Sequence, residues 1–508
     1  MGAAESFILF KTSSGNSYAY ETKINQIFLL HPVLYFMLEK YKESSNKDWF
    51  EDLIKEGIII DNHHIPREEI EKYHKKLLFF TKLGLFQKKS YRRNLDGQIQ
   101  SRDIQEMLAN VKQLTFEVTD CCQLYCGYCG YGKFYDDYDK RENKNINVKI
   151  GKNVLNFFLN FWNSPLNNSH DKNIYIGFYG GEPLLNMRFI KEIVKYVGKL
   201  PALHNRFTFA ITTNGILLGK NMDFLVQNDF NILISLDGSR NNNEYRVFRN
   251  GNPAFDIILR NIDIFRKKFP GYFRSKVNFN AVVHNKNSIT EIYRYFKDNF
   301  DKVPSISELN TSGIKESQKK NFWKTYLNVN ESLKQSQNHE IIEKDMFINL
   351  PGIRSVGNFL TMYSGHIYRN YNDLLFLKTD LNKIPTGTCL PFSKKVFVTV
   401  NGKILPCERI SHRYALGYAN DKNVILEIEK IAEKYNNYYD KLRKQCRNCY
   451  RNETCTQCMF YLNIDDEKPL CKGFMNREEF SKYLSNYIGY LERKPEIYFR
   501  LMREAVID

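Results

Sequence analysis

Apolar and polar positions alternate in three short runs near the start of the chain, Ser6–Lys11, Ser17–Glu21 and Ile24–Leu30. A period of two predicts strands with one buried face. The period then changes to that of amphipathic helices over His31–Glu43, Asp48–Glu56 and Arg67–Leu85. Lys88–Gly97 is polar and reads as a linker. From about residue 112, short β-branched and aromatic runs recur at Leu114–Val118, Ile174–Tyr179, Arg206–Thr212, Ile232–Leu236 and Lys276–Val283. Helical patterns separate them, including Asn147–Trp162, Met187–Lys199 and Phe255–Lys268. Repeating strand–helix units predict an α/β domain with a parallel sheet, either open or curled into a barrel. Residues 310–385 read as mostly helical, broken near Pro351–Gly352 and Tyr363–Gly365, and Arg477–Ile507 as a closing helical tail. No internal repeat is present in the sequence.

With 508 residues the chain has room for several domains, and 43% hydrophobic with 26% charged residues is ordinary for a globular protein. A net charge of +17 raises acidic partners, either nucleic acid or an acidic peptide. The 74 basic residues are scattered rather than gathered in a stripe, so nucleic acid is not expected as a partner. The most apolar stretch, Ile27–Leu38, is short and interrupted by His31 and Pro32, so no membrane span is expected. The start lacks a basic-then-apolar signal layout, although Met1–Ser6 fits the loose myristoylation pattern. The expected location is the cytoplasm.

The 11 cysteines change the picture. Four lie at 121–129 and seven at 389–471, with none elsewhere. Cytosolic thiols stay reduced, so clustering of this kind points to metal ligation rather than disulfides. Cys122, Cys126 and Cys129 follow a predicted strand directly. Three thiolates on one loop suit an iron–sulfur cluster with one iron left open; structural zinc prefers a closed set of four. Cys121, adjacent to Cys122, reads as a small buried residue at the strand end.

The spacing CxxxCxxC with Tyr128 before the last cysteine resembles the defining motif of the radical S-adenosylmethionine (SAM) superfamily. Three further segments add to the resemblance: Gly180-Gly181-Glu182-Pro183, Thr212-Thr213-Asn214-Gly215 and Ser235-Leu236-Asp237-Gly238. Each follows a predicted strand, at the edge where α/β sheets place ligands. The resemblance implies a partial (β/α)6 barrel, a [4Fe–4S] cluster on the three cysteines, and SAM contacts from Tyr128, Gly180, Gly181, Glu182, Pro183, Thr212, Thr213, Asn214, Ser235 and Asp237. In the family Glu182 and backbone oxygens would hold the methionine ammonium, and Ser235 and Asp237 the ribose and carboxylate. Relatives often carry a His-Asp pair and then an Arg; here the stretch reads Asn243-Glu244-Tyr245-Arg246, so Arg246, or Arg249 in its place, takes the carboxylate role.

The second group reads Cys389-x12-Gly402-x4-Cys407, then Cys446-x2-Cys449-x5-Cys455-x2-Cys458, then Cys471. Paired CxxC units also look like zinc ribbons, but seven ligands do not fill two zinc sites without sharing. The pattern resembles the SPASM domain, which adds two auxiliary [4Fe–4S] clusters to radical SAM cores; the spacing before Cys458 is one residue short of the usual. The resemblance implies an outer cluster on Cys446, Cys449, Cys455 and Cys471. It implies an inner cluster on Cys389, Cys407 and Cys458, whose fourth iron is open to a substrate thiolate. Glu408 stands where sulfatase-maturing relatives carry a carboxylate base.

These likenesses imply a radical SAM peptide maturase that generates a 5′-deoxyadenosyl radical and is supplied by a one-electron reductant such as flavodoxin or ferredoxin. Its strands-then-helices start resembles the winged-helix-like leader-recognition domain of ribosomal-peptide maturases, which captures a precursor peptide as an added strand; the opening Ser6–Tyr18 is similar to that of maturases of Cys-repeat peptides. The expected product is a Cys thioether crosslink, ahead of a carbon–carbon (cyclophane) crosslink or formylglycine. The expected division is 1–105 leader recognition, 110–310 radical SAM core, 311–385 helical bridge, 386–475 SPASM domain and 476–508 helical tail.

Overall fold

The computed structural model describes residues 5–44, 48–88, 94–169, 172–336, 339–363 and 383–504. Most of the Met1–Ser6 pattern, the middle of the Lys88–Gly97 linker and the break after Tyr363 lie outside the described residues. Contacts divide the chain into two discontinuous units, the first made of Met1–Gln98, Gly352–Thr388 and Tyr438–Asp508, the second of Ile99–Pro351 and Cys389–Asn437.

In the first unit β1 (Phe7–Lys11), β2 (Ser17–Glu21) and β3 (Gln26–Leu30) form an antiparallel meander with β3 at its edge. Helix α1 (Pro32–Glu43) starts at Pro32, where the missing N–H costs nothing, and His31 accepts a bond from the Val33 N–H. Then come α2 (Trp49–Glu56), a hairpin of β4 (Ile59–Ile60) and β5 (His63–His64), and α3 (Arg67–Lys82). The hairpin, absent from the sequence expectation, turns on Asp61 and Asn62, both at positive φ of 51° and 65°. Phe7, Ala19 and Leu30 from the sheet bury against Leu34 and Leu38 of α1, Leu77 of α3 and Phe86. The helix Arg477–Arg493 begins with a capping box of Asn476 and Glu479 and packs on β1. Its Phe480 ring meets Tyr20 at 5.3 Å.

The second unit opens with α4 (Ser101–Ala109) and is built on parallel strands β6 (Gln113–Thr119), β7 (Asn173–Gly180), β8 (Arg206–Thr213), β9 (Asn231–Ser235), β10 (Val277–Val282) and β11 (Ser305–Ser307). Their order in the sheet is their order in the chain. Crossovers carry α5 (Val148–Trp162), α6 (Met187–Val197), α7 (Leu218–Gln227), α8 (Phe255–Lys268), α9 (Pro270–Lys276) and α10 (Ile289–Phe300). The core places Leu114, Phe116, Ile176, Phe178 and Ile234 of the strands with Phe158 and Trp162 of α5, Phe189 of α6 and Ile258 of α8, all 2% exposed or less. Beyond β6 the sheet continues through β12 (Val396–Val398), parallel to β6, and then antiparallel β13 (Lys403–Leu405), β14 (Gly417–Ala419) and β15 (Val424–Ile425). The start of the second cysteine region therefore joins the same sheet as the first. Among the described residues no helix is long and apolar enough to cross a membrane.

Candidate functional site

The first site stands at the carboxyl ends of β6 to β9. Chain direction reverses there, and the backbone leaves the sheet in loops free to hold side chains toward a ligand. After β6, Cys126 O accepts the Cys129 N–H at 3.1 Å, which folds the cysteine loop back on itself. The Cys126 thiol is pushed up to about 12 by burial first, with the Cys129 and Cys122 thiols raising it further against the pull of Arg246. The three sulfurs are thus close enough to sense one another's charge. Asn214 Nδ2 approaches Cys122 Sγ at 3.6 Å, and Arg141 Nη2 approaches Cys129 Sγ at 3.6 Å.

Gly180, at φ 131°, ends β7 and Gly181 follows it, where a Cβ would stand 2.3 Å from Thr119 O and 2.0 Å from Cys121 O respectively. These glycines admit the chain entering the cysteine loop at close approach. The Gly181 and Glu182 N–H groups complete the seam by donating to Thr119 O and Cys121 O, each at 2.8 Å. The Glu182 carboxylate is fully buried and accepts from the Leu184 N–H at 3.1 Å, the Thr213 hydroxyl at 2.8 Å and the Asn214 N–H at 2.7 Å. Burial pushes it up to about 7 despite those three donors. Glu182 therefore ties the ends of β7 and β8 together, and Pro183 starts the short turn Pro183–Asn186 that follows. Thr212 and Thr213 end β8, and Ser235 ends β9.

Asp237 is the centre of a buried polar cluster. Arg246 donates to both carboxylate oxygens, Nε to Oδ2 and Nη2 to Oδ1, each at 3.0 Å. The Tyr128 hydroxyl donates to Oδ2 and the Val282 N–H to Oδ1, while His284 Nε2 lies 3.8 Å away. Burial alone would raise the Asp237 carboxyl, but the guanidinium and the other donors hold it down to about 2. Asp237 and Arg246 thus engage each other, and Tyr128 is locked between two cysteines by its bond to Asp237. Arg249 is exposed.

The second cysteine group divides between the units. In the first, Cys446 is pushed up to about 12 by burial, and Cys455, Cys449 and Cys471 all act on it electrostatically. Those are the four residues of the expected outer set. Met475 N–H reaches Cys449 Sγ at 3.4 Å, and Gln445 Oε1 holds the Cys471 N–H at 3.0 Å. Buried Nε atoms of Arg447 and Arg451 have no hydrogen-bond partner. A cavity of about 230 Å³ opens beside this set, lined by Cys455, Cys458, Arg451, Gln457 and Tyr461 among others. Cys458 belongs to this unit, whereas Cys389 and Cys407 belong to the other. Cys407 lies just after β13, and Arg409 N–H approaches its sulfur at 3.4 Å. Half-buried Glu408 pairs with Lys395 at 3.0 Å, which holds its carboxyl below the usual range although burial opposes it.

Both the trio Cys122, Cys126 and Cys129 and the quartet Cys446, Cys449, Cys455 and Cys471 are soft donor sets with unpaired arginine N–H groups nearby, and both suit iron–sulfur clusters. Among the described residues no group of three His, Cys, Asp or Glu converges as a single-ion site.

Residues 116–298 match the model of the Radical SAM superfamily. The chain carries a radical SAM domain. An uncharacterized protein of Methanocaldococcus jannaschii is 31% identical over 182 residues, 36% of this chain and 56% of its own length, so the chain spans little more than half of that relative. The radical SAM cyclopropyl synthase TigE of Paramaledivibacter caminithermalis is 22% identical over 415 residues, 80% of this chain and 78% of TigE. The solved structure of anSMEcpe with bound AdoMet and Kp18Cys peptide superposes with a TM-score of 0.52 at 18% identity, over 77% of this chain and 99% of that one. The α/β fold, with its mostly parallel central sheet, is thus a radical SAM fold.

Within the radical SAM domain several site residues carry no motif signal. Arg141 and Glu117 lie outside the recognisable segments, and His284 reaches Asp237 only because β10 lies beside β9. Lys395 is one of many lysines until the β12–β13 hairpin brings it to Glu408.

Proposed function

We propose that this chain is a SPASM-type radical SAM maturase that installs Cys thioether crosslinks in a ribosomally made precursor peptide. The observation that carries the reading is that Cys446 and Cys449, both buried, and Cys455 and Cys471, both partly exposed, lie within electrostatic reach of one another in a chain that also carries a radical SAM domain. A second cluster-holding set implies redox work beyond cleavage of SAM, which forming a bond with loss of two hydrogens requires. Beyond those four the sequence offers three more thiolates, Cys389, Cys407 and Cys458, and the resemblance to the SPASM domain implies for them a cluster with room for a substrate thiolate. The clusters and SAM, when bound, supply the radical and accept the electrons; the protein's residues hold and aim them. Tyr128, Gly180, Gly181, Glu182, Pro183, Thr212, Thr213, Asn214 and Ser235 shape the SAM side, several of them by buttressing. Lys395 keeps Glu408 ionised, the state a base needs.

The peptide partner is supported by the first unit. Edge strand β3 leaves backbone groups free for an added strand and exposes Leu29 (68%), while α3 and the turn after it expose Leu78, Phe79 and Leu83 (60%) beside Lys75, Lys76 and Lys82. That combination suits an acidic leader with apolar anchors. The solved structure of anSMEcpe holds a peptide, Kp18Cys. The five-part division read from the sequence is the functional division we adopt, with a small donor such as flavodoxin or ferredoxin supplying electrons.

A carbon–carbon bond is the second reading, favoured by the similarity to the cyclopropyl synthase TigE. The experiment is anaerobic reconstitution and incubation with a Cys-containing precursor peptide, SAM and reductant. Loss of two hydrogens per crosslink together with loss of an alkylatable thiol indicates a thioether. The same mass loss with all thiols still alkylatable indicates a carbon–carbon bond, and no mass change with any such peptide refutes the maturase.

A further inference from the structure

Arg141 lies in a polar stretch after the first cysteine group, and its Nη2 reaches the Cys129 sulfur at 3.6 Å. Its guanidinium lies 4.5 Å from the centre of the Tyr131 ring. The Tyr131 hydroxyl lies against the Glu117 carboxyl, whose Oε2 accepts the Val400 N–H at 2.8 Å. Glu117 is on β6 and 1% exposed, so the sheet itself fixes where the arginine stands. Arg141 Nε is buried and has no partner. A buried guanidinium N–H without an acceptor is costly, and its usual explanation is an acceptor not yet counted. Cys122, by contrast, faces the neutral amide of Asn214.

We propose that Arg141 is a positioning residue that sets the reduction potential of the cluster held by Cys122, Cys126 and Cys129, through its cationic hydrogen bond to Cys129. The inference rests on the reading that these three thiolates hold a cluster. A hydrogen bond and a fixed positive charge draw electron density from a ligating sulfur, which favours the reduced, more negative cluster and raises its potential. Tyr131 and Glu117 act behind it: the ring supports the guanidinium plane, and the carboxyl anchors the ring. Lysine would keep the charge but lose the planar fork and the stacking.

The test is a redox titration of the reconstituted full chain followed by electron paramagnetic resonance, reading the signal that changes when SAM is added, so that auxiliary clusters are set apart. Arg141→Met and Arg141→Gln are expected to retain wild-type iron content and to titrate at more negative potential. Arg141→Lys is expected between them and the wild type, and Tyr131→Phe to shift in the same direction by less. Unchanged potentials in the Met and Gln variants at full iron content overturn the proposal. If Arg141→Met fails to load, the order of Gln and Lys decides: Lys nearer to the wild type supports it, and both equal to the wild type overturns it. A wild-type chain with no SAM-responsive signal sinks the cluster reading itself, an outcome distinct from a loaded cluster whose potential ignores Arg141.

Discussion

At the scale of single residues, the buried ion pair of Asp237 and Arg246 has the highest stakes. Both are almost fully enclosed, and the carboxylate is matched by the guanidinium, a tyrosine hydroxyl and a backbone N–H. Arg246→Met leaves that carboxylate enclosed without its cation, so a loss of about 3–5 kcal/mol is expected in denaturant unfolding at neutral pH. The sign of the pH dependence follows from the lowered carboxyl. With a folded value near 2 against about 3.9 unfolded, the pair's contribution is fully present above about pH 4 and lost as pH falls toward 2. In Arg246→Met burial raises the carboxyl against the remaining donors alone, Tyr128, the Val282 N–H and His284, so acidification from neutral relieves the defect, and the gap to the wild type narrows as pH falls. Unfolding midpoints of both proteins across pH 3–7 check this; a parallel pair of curves would contradict it.

At the scale of elements, two short segments carry testable roles. The β12–β13 turn depends on Gly402, at φ 79°, where an added Cβ would meet Ala419 O at 2.0 Å. Gly402→Ala is expected to cost about 1–3 kcal/mol and to loosen the β13–β14 pairing. Hydrogen exchange at the Thr399 and Ala419 amides, which bond Lys403 O and Gly402 O, reads the loosening directly. Edge strand β3 gives the opposite case, since Leu29 is exposed and its replacement should not disturb folding. Leu29→Asp places a negative charge where an acidic leader would pair, so weaker binding of the precursor peptide is expected with an unchanged unfolding midpoint. Binding titrations with the isolated leader check this, and equal affinity would remove β3 from the recognition surface.

At the scale of the whole molecule, the cysteine sets predict a stoichiometry. The reconstituted chain is expected to hold about twelve irons. Cys126→Ala and Cys446→Ala are each expected to lose about four, by iron and sulfide assay. Their activities should differ: Cys126→Ala abolishes reductant-dependent cleavage of SAM, whereas Cys446→Ala keeps cleavage and loses product. A chain with about four irons in total would retain the radical SAM domain and remove the auxiliary clusters.

By itself the sequence determined which chemistry is present and roughly where the elements lie. Cysteine spacing is local, so the CxxxCxxC loop and the CxxC pairs are legible without a fold, and periodicity located β1, β2, β6 to β10 and helices α5, α6 and α8 within a few residues. Some local elements escaped because their signals are weak, as with the two-residue strands around Asp61–Asn62 and the three-residue β11. Tertiary structure decided everything that depends on pairs far apart in the chain. It placed β12 beside β6, some 282 residues apart in the register Val396↔Leu114. It gave Glu182, Asp237 and Arg246 the hydrogen bonds that hold the ends of β7, β8, β9 and β10 together. It also brought Arg141 to Cys129. A motif records the residues a site contains, but whether a carboxylate faces a ligand or a neighbouring strand is set by which other donors folding brings within about 3 Å of it, and no local pattern encodes that.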